Sequence, residues 1–224
     1  MESKDRLPAG EPNHLARRVS ELHAQLRQAS PNTLASHTGA NYLPAGSLQG
    51  TFYLPFWGQE VSLTYPEFVG RDNRTGKILG IMAQALLAYY FTISDGTDQT
   101  DQWISFSELP DGKFYTAAFQ GYTGGELVKT FGNDEHGFAK SATRIGGWRP
   151  RLDKVLGDEA YAFQVFPHVT LLVVCWLGDE DFPPSYRILF DAAVSHHLST
   201  DACAILGSTL TRRLIKAYEQ LKDH

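Results

Sequence analysis

The chain has 224 residues, 42% hydrophobic and 20% charged, with 20 Lys+Arg against 25 Asp+Glu for a formal net charge of −5. A chain of this length and composition builds one substantial core, or a core with a small satellite lobe, in a soluble globular protein. The acidic balance has the wrong sign for holding a phosphate backbone, which argues against a nucleic-acid partner.

The first residues, Met1 to Pro8, are polar and lack the apolar run of a secretory signal, so the expected location is the cytoplasm. Between Pro12 and Pro31, Leu15, Val19, Leu22 and Leu26 recur every three or four residues, with Arg17, Arg18, Glu21 and Arg27 on the opposite side. That is the stripe of an amphipathic helix. Residues 1–30 therefore read as a polar start and this helix. Residues 31–50, rich in Pro, Ser, Gly, Asn and Thr without a period, read as a surface connection, and residues 50–224 as a single domain.

Phe52, Leu54 and Phe56 alternate on one run, Val61, Leu63 and Tyr65 on the next, and Gly58-Gln59 offers a tight turn between them. Pro55 cannot donate a ladder hydrogen bond, which places it at an edge or bulge. Ile78 to Ile93 is almost wholly apolar but shorter than a membrane span and interrupted by Gly80 and Gln84, so it predicts a buried central helix and no membrane partner. Trp103 to Phe106 and Phe114 to Phe119 read as strands joined across Pro110-Asp111-Gly112. A helical pair follows between Thr123 and Ile145. Strands come next at Tyr161 to Phe166, Val169 to Leu177 and Arg187 to Phe190. A last helix from about Asp201 has Ile205, Leu206, Leu210, Leu214, Tyr218 and Leu221 on one face, and Gly207 inside it predicts close packing there. Adjacent strand pairs without β-α-β alternation predict an α+β fold: a mostly antiparallel sheet built from hairpins, packed with a buried central helix and N- and C-terminal amphipathic helices.

The order of Ala88-Tyr89-Tyr90, Trp103 to Pro110, Gly178-Asp179-Glu180-Asp181-Phe182-Pro183 and Leu189-Phe190-Asp191 resembles a bacterial family, domain of unknown function 3786, over roughly residues 50 to 215. The resemblance implies a soluble bacterial domain and brings no reaction, ligand or cofactor with it. Some relatives look like fusions to a cysteine-rich iron–sulfur segment. This chain has only Cys175 and Cys203, too few thiolates for a four-cysteine cluster, so no cofactor is assigned. Both cysteines sit among apolar residues and read as inert thiols, with pairing between them left open.

Several groups of residues have the chemistry of a site, and each also has a structural reading. Gly121, Thr123, Gly124 and Gly125, expected between a strand and a helix, either present backbone N–H groups to an anion or form a turn in which Thr123 and Glu126 make a capping box. Asp95, Asp98 and Asp101 either supply oxygen ligands to a hard cation or belong to a solvated loop. Asp179, Glu180 and Asp191 each follow an expected strand, and His196 and His197 come shortly after. Asp179, Glu180, Asp191 and His196 are thus candidate metal ligands, with Asp191 and His196 as candidate acid–base groups. The competing reading has an acidic loop and a final helix capped by Ser199 or Thr200. The aromatic residues from Phe52 to Tyr122 either fill a core or line a surface for a flat ligand.

Three functions fit these residues. The first is a binding or accessory protein holding a small molecule or a protein partner. The second is a metal-assisted hydrolase built on the C-terminal carboxylates and histidine. The third is a structural subunit with an apolar patch.

Overall fold

The computed structural model describes residues 12–46, 48–151 and 156–222, and the chain divides into two compact units. The first comprises Met1–Gln99, Val165–Val169 and Ala193–Ala202; the second comprises Thr100–Gln164, Thr170–Ala192 and Cys203–His224. The polar start expected before Pro12 lies outside the described residues. Residues 50–224 contribute to both units.

In the first unit, α1 (Pro12–Leu26) lays its stripe against α3 (Ile81–Ile93), where Leu15 and Val19 enclose Ala85. Ser30 and Pro31 open a second helix, α2 (Pro31–Thr38), closed by Gly39 in the left-handed region at φ 64°. Next comes a four-stranded antiparallel meander, β1 (Asn41–Pro44), β2 (Gly50–Phe56), β3 (Gln59–Tyr65) and β4 (Gly70–Asp72), in sequence order. Phe52 and Leu54 of β2 stand opposite Leu63 and Val61 of β3, and all four are buried. The β2–β3 turn is Trp57-Gly58, with φ 53° and 72°, the positive pair that a two-residue type I′ turn requires. Pro55 lies past the end of β1, whose last partner is Tyr53, so its missing N–H costs no ladder bond.

Helix α3 buries Leu86, Leu87, Tyr89, Tyr90 and Phe91, and Phe91 meets Phe52 edge-on at 5.1 Å. Gln84, the polar interruption in this helix, accepts from Gly70 N through Oε1 at 2.9 Å and so serves strand β4. Thus the segment 31–50, expected as a loop, carries a helix and a strand. Its Ser30-Pro31 start and Gly39 stop are ordinary helix boundaries that the high polar content obscured.

The second sheet has the order β5-β8-β7-β6, from β5 (Trp103–Ser105), β6 (Glu159–Phe166), β7 (Val169–Trp176) and β8 (Ser185–Asp191). Strand β7 is buried on both faces, which explains its unbroken apolar run. One face of the sheet packs Tyr161 and Tyr186 against Phe131 of α5 (Gly124–Phe131) and Phe138 of α6 (Glu135–Arg144). The other buries Ala162, Leu172 and Val174 beneath Trp103, Trp176 and Leu189. The last helix, α7 (Thr200–Lys222), buries Leu206, Leu210, Leu214 and Tyr218.

Phe114 to Phe119, expected as a strand, are helical: a 3-10 turn (Gly112–Tyr115) runs into α4 (Thr116–Tyr122). Asp111 takes a positive φ of 58° and turns the chain into that coil rather than into a hairpin. Of these aromatic residues only Phe119 is buried, stacked on Phe106 at 4.1 Å. A Cβ on Gly207 of α7 would stand 2.5 Å from the same Phe119 ring.

Gly207→Ala is therefore expected to lower the melting temperature. The helix-propensity gain of about 1 kcal/mol is outweighed by displacing a packed ring, an overpacking cost of about 1–3 kcal/mol. A calorimetric melt at or above wild type would show that the ring yields freely.

Candidate functional site

Asp191 ends β8 opposite Trp103 of β5 and is 1% exposed. Its carboxylate accepts from Thr100 N at 3.0 Å, Thr100 Oγ1 at 3.2 Å and Asp101 N at 2.8 Å. Just beyond it, Ala192 N donates to Gln102 O at 2.8 Å. Asp191 is thus a clamp on the start of β5. It satisfies backbone donors at a point where Asp101 adopts φ 55°.

Asp179 also serves its own turn. Its Oδ1 accepts from Phe182 N at 2.8 Å and Asp181 N at 2.9 Å, and the Phe182 bond is the main cause of a carboxyl pKa below its ordinary value. Gly178 is tied to Asn133 by reciprocal bonds of 2.7 and 3.2 Å, and Glu180 is exposed. In the antiparallel register Trp176 pairs with Ser185 and Leu171 with Phe190. Asp179 therefore follows one end of this strand pair while Asp191 stands at the other, about 20 Å away at the rise of a strand. Two strands that each end in a carboxylate bring those carboxylates together only if they run parallel, and these do not.

The histidines belong to the first unit. His196 Nδ1 lies 2.7 Å from Asp95 Oδ2 and 3.3 Å from Thr97 Oγ1. With the Nδ1 proton directed at the carboxylate, Nε2 is left as the basic nitrogen, and it has no partner among the described residues. Both side chains are about half exposed, at 52% and 49%. The bond to His196 is the main cause holding the Asp95 carboxyl well below the usual range.

His197 is buried. Its Nε2 lies 2.9 Å from Thr97 O, which can only accept, so Nε2 carries the proton, and Nδ1 meets Ser94 Oγ at 3.2 Å. Desolvation lowers its pKa. His168 stacks on His197 at 5.1 Å, with its own Nε2 buried and unpartnered among the described residues.

The Asp95, Asp98 and Asp101 series divides by use: Asp95 through its side chain, Asp101 through its amide, and Asp98 as an exposed loop residue. Among the described residues no three His, Cys, Asp or Glu side chains are grouped to hold a metal ion. The pairing of Asp95 with His196 was missed because 101 residues separate them and no local pattern links them. Ser199 Oγ receives Ala202 N at 3.4 Å and starts α7, as the capping reading expected.

The Gly121 to Gly125 segment joins α4 to α5 without a strand before it, which removes the expected strand-to-helix anion loop. Thr123 makes no capping bond to α5; its hydroxyl turns back to Phe119 O at 2.6 Å. Gly124 is buried where a Cβ would strike Gln120 Nε2 and Tyr186 O, and Gln120 holds that carbonyl at 2.8 Å. Gly125 is half-buried, whereas Gly121 is exposed with nothing near its Cβ position. Gly121 lies on an outward face with Phe114, Tyr115, Ala117, Ala118 and Tyr122. Phe114 is 85% exposed, Tyr115 46% and Tyr122 41%. From Phe114 through Gly125 the sequence carries no charge.

A family model described as Domain of unknown function (DUF3786) matches residues 30–213, from the start of α2 into α7. The chain belongs to this family. The DUF3786 match extends the resemblance seen in the sequence to include α2 and β1, and it leaves α1 outside. No curated protein matches the chain, and no solved structure matches it. No described helix is long and apolar enough to cross a membrane.

Asp191→Ala is expected to destabilise the protein by about 1–3 kcal/mol, because it removes the buried acceptor shared by Thr100 N, Thr100 Oγ1 and Asp101 N. Denaturant titration in EDTA and in added zinc or magnesium should give the same loss. A loss seen only with metal would make Asp191 a ligand instead.

Burial of His197 sets a second expectation. Its folded pKa lies below the unfolded one of about 6.5, so the unfolded chain takes up the proton first. Stability is thus undiminished above that pH and declines as pH falls through and below it. His197→Gln keeps a donor near the Nε2 position and should flatten the fall in melting temperature between about pH 7 and 5. His23, also lowered by burial, contributes in the same window and remains in the variant. An equally steep fall in the variant would remove His197 as the cause.

Proposed function

We propose that this chain is a bacterial, cytoplasmic binding or accessory protein, and that it meets a protein partner through the outward face of α4 and the preceding 3-10 turn. The observation that carries this reading is the uncharged surface of Phe114, Tyr115 and Tyr122 around Ala117, Ala118 and Gly121. Aromatic anchors flanking small residues give a partner large apolar area and close approach. The face is open, which suits a protein more than a small molecule that needs enclosure. The two buried free thiols and the acidic net charge fit a reducing, intracellular setting.

A hydrolytic reading keeps one specific support, the exposed Asp95–His196 pair with Nε2 available as a base. It differs from the C-terminal carboxylate set expected from the sequence, because the carboxylate comes from the loop after α3. An activity found with wild type and lost in His196→Gln would favour it.

For the binding reading, cross-linked complexes are isolated from host cells carrying wild type or Phe114→Ser/Tyr122→Ser, and the captured protein is then purified and titrated directly. The expected result is a partner whose affinity falls at least about ten-fold, roughly 1.4 kcal/mol, in the double variant. Melting should change little, since Phe114 is 85% exposed and Tyr122 meets the core only edge-on at Phe119. Equal affinity for both forms would sink the proposal.

A further inference from the structure

A second surface is independent of the α4 face. Helix α6 carries His136, Lys140 and Arg144 four residues apart, and these line a groove with Ala139, Thr143 and Leu221 of α7. Lys140 and Arg144 are exposed and have no acidic partner among the described residues, in a chain whose net charge is −5. By contrast, the neighbouring Asp134 is engaged: it caps α6 at Gly137 N and accepts from Tyr218 Oη at 2.6 Å, fixing α7 beside α6. The groove is therefore a seam between two tied helices, with Lys140, Arg144 and the His136 imidazole along one wall and apolar carbon at Ala139 and Leu221.

We infer that this groove binds an acidic amphipathic helix of a partner protein. Four-residue spacing sets the three basic side chains about 6 Å apart along the axis, over about 12 Å in all. Carboxylates at i and i+4 of an incoming helix repeat at the same rise as Lys140 and Arg144, and a third at i+8 would lie beside the His136 imidazole, which can donate an N–H. An apolar residue beside that acidic row would rest on Ala139 and Leu221. The groove is open to solvent and holds about 500 Å³, more than one inorganic anion fills, and its three basic positions form a row rather than a single point.

The test uses the full chain and a synthetic helical peptide with Glu at i, i+4 and i+8 and Leu on the adjoining positions. The control peptide has the same composition with the glutamates dispersed around the helix. Anisotropy titrations should show the striped peptide binding at least about ten-fold more tightly, an advantage that shrinks as salt is raised. Lys140→Glu/Arg144→Glu should lower that affinity at least about ten-fold while the melting curve holds. Amide shifts in wild type should map to α6 and the end of α7.

Equal binding of the two peptides would overturn the inference, as would shifts confined to other elements. Inorganic phosphate producing the same shifts with the same saturation would replace it with a small-anion site. Retained binding in the double variant would also overturn it. Because none of these readouts involves Phe114 or Tyr122, failure here leaves the α4 reading standing, and the reverse holds too.

Discussion

The first unit depends on the burial of Tyr90 with its hydroxyl fully used. That hydroxyl donates to Thr38 O at 2.8 Å, at the end of α2, and accepts from His168 N at 3.3 Å, in the β6–β7 turn. Its ring lies flat on Phe166 at 4.2 Å, and Phe166 stacks in turn on Phe56 of β2. A tyrosine in this position supplies apolar area and a fixed polar tip together, so segments far apart in sequence are held in one register. Burial pushes its pKa up, which keeps the proton on the oxygen that must donate. The loop that leaves α3 four residues later owes its position to this anchor, and with it the pairing of Asp95 with His196.

The acidic residues that drew notice in the sequence mostly serve turns. Asp191 and Asp179 each accept backbone N–H groups where the chain leaves a strand, and Asp134, which carried no signal in the sequence, does the same at the start of α6. Donors without a ladder partner need an acceptor, and a short carboxylate is a strong one. Carboxylates therefore collect at strand ends for structural reasons, in the same places where a catalytic acid would be sought. What separates the two roles is the set of partners: a carboxylate with all its oxygens taken by amides has little capacity left for a metal or substrate.

Two surfaces of the second unit contrast in chemistry. The α4 face is aromatic and uncharged, while the α6 face carries Lys140 and Arg144, which form no ion pair among the described residues. In both cases the inner side of the helix is accounted for: Phe119 is held against Phe106 and Gly207, and Phe138 against Tyr161 and Tyr186. Their packing explains the inward residues, while Phe114, Lys140 and Arg144 point to solvent.

The sequence by itself determined the α+β class, the amphipathic first and last helices, the buried central helix, the β2–β3 and β6–β7 hairpins and the close packing at Gly207. Each rests on a signal a few residues long: a period of two or near 3.6, a turn pair, or a glycine inside a helix. Local signals also existed for α2, in Ser30-Pro31 and Gly39, but polar composition masked them. The helical state of Phe114 to Phe119 was hidden because aromatic residues favour strands and only their packing reveals that one of them is buried. Tertiary structure alone decided that Asp179 and Asp191 stand at opposite ends of a strand pair, that His196 takes its carboxylate from Asp95, and that Asp191 clamps Thr100 and Asp101. Strand direction and pairing across about a hundred residues depend on which buried surfaces fit together, and that free energy belongs to the assembled core rather than to any stretch of chain.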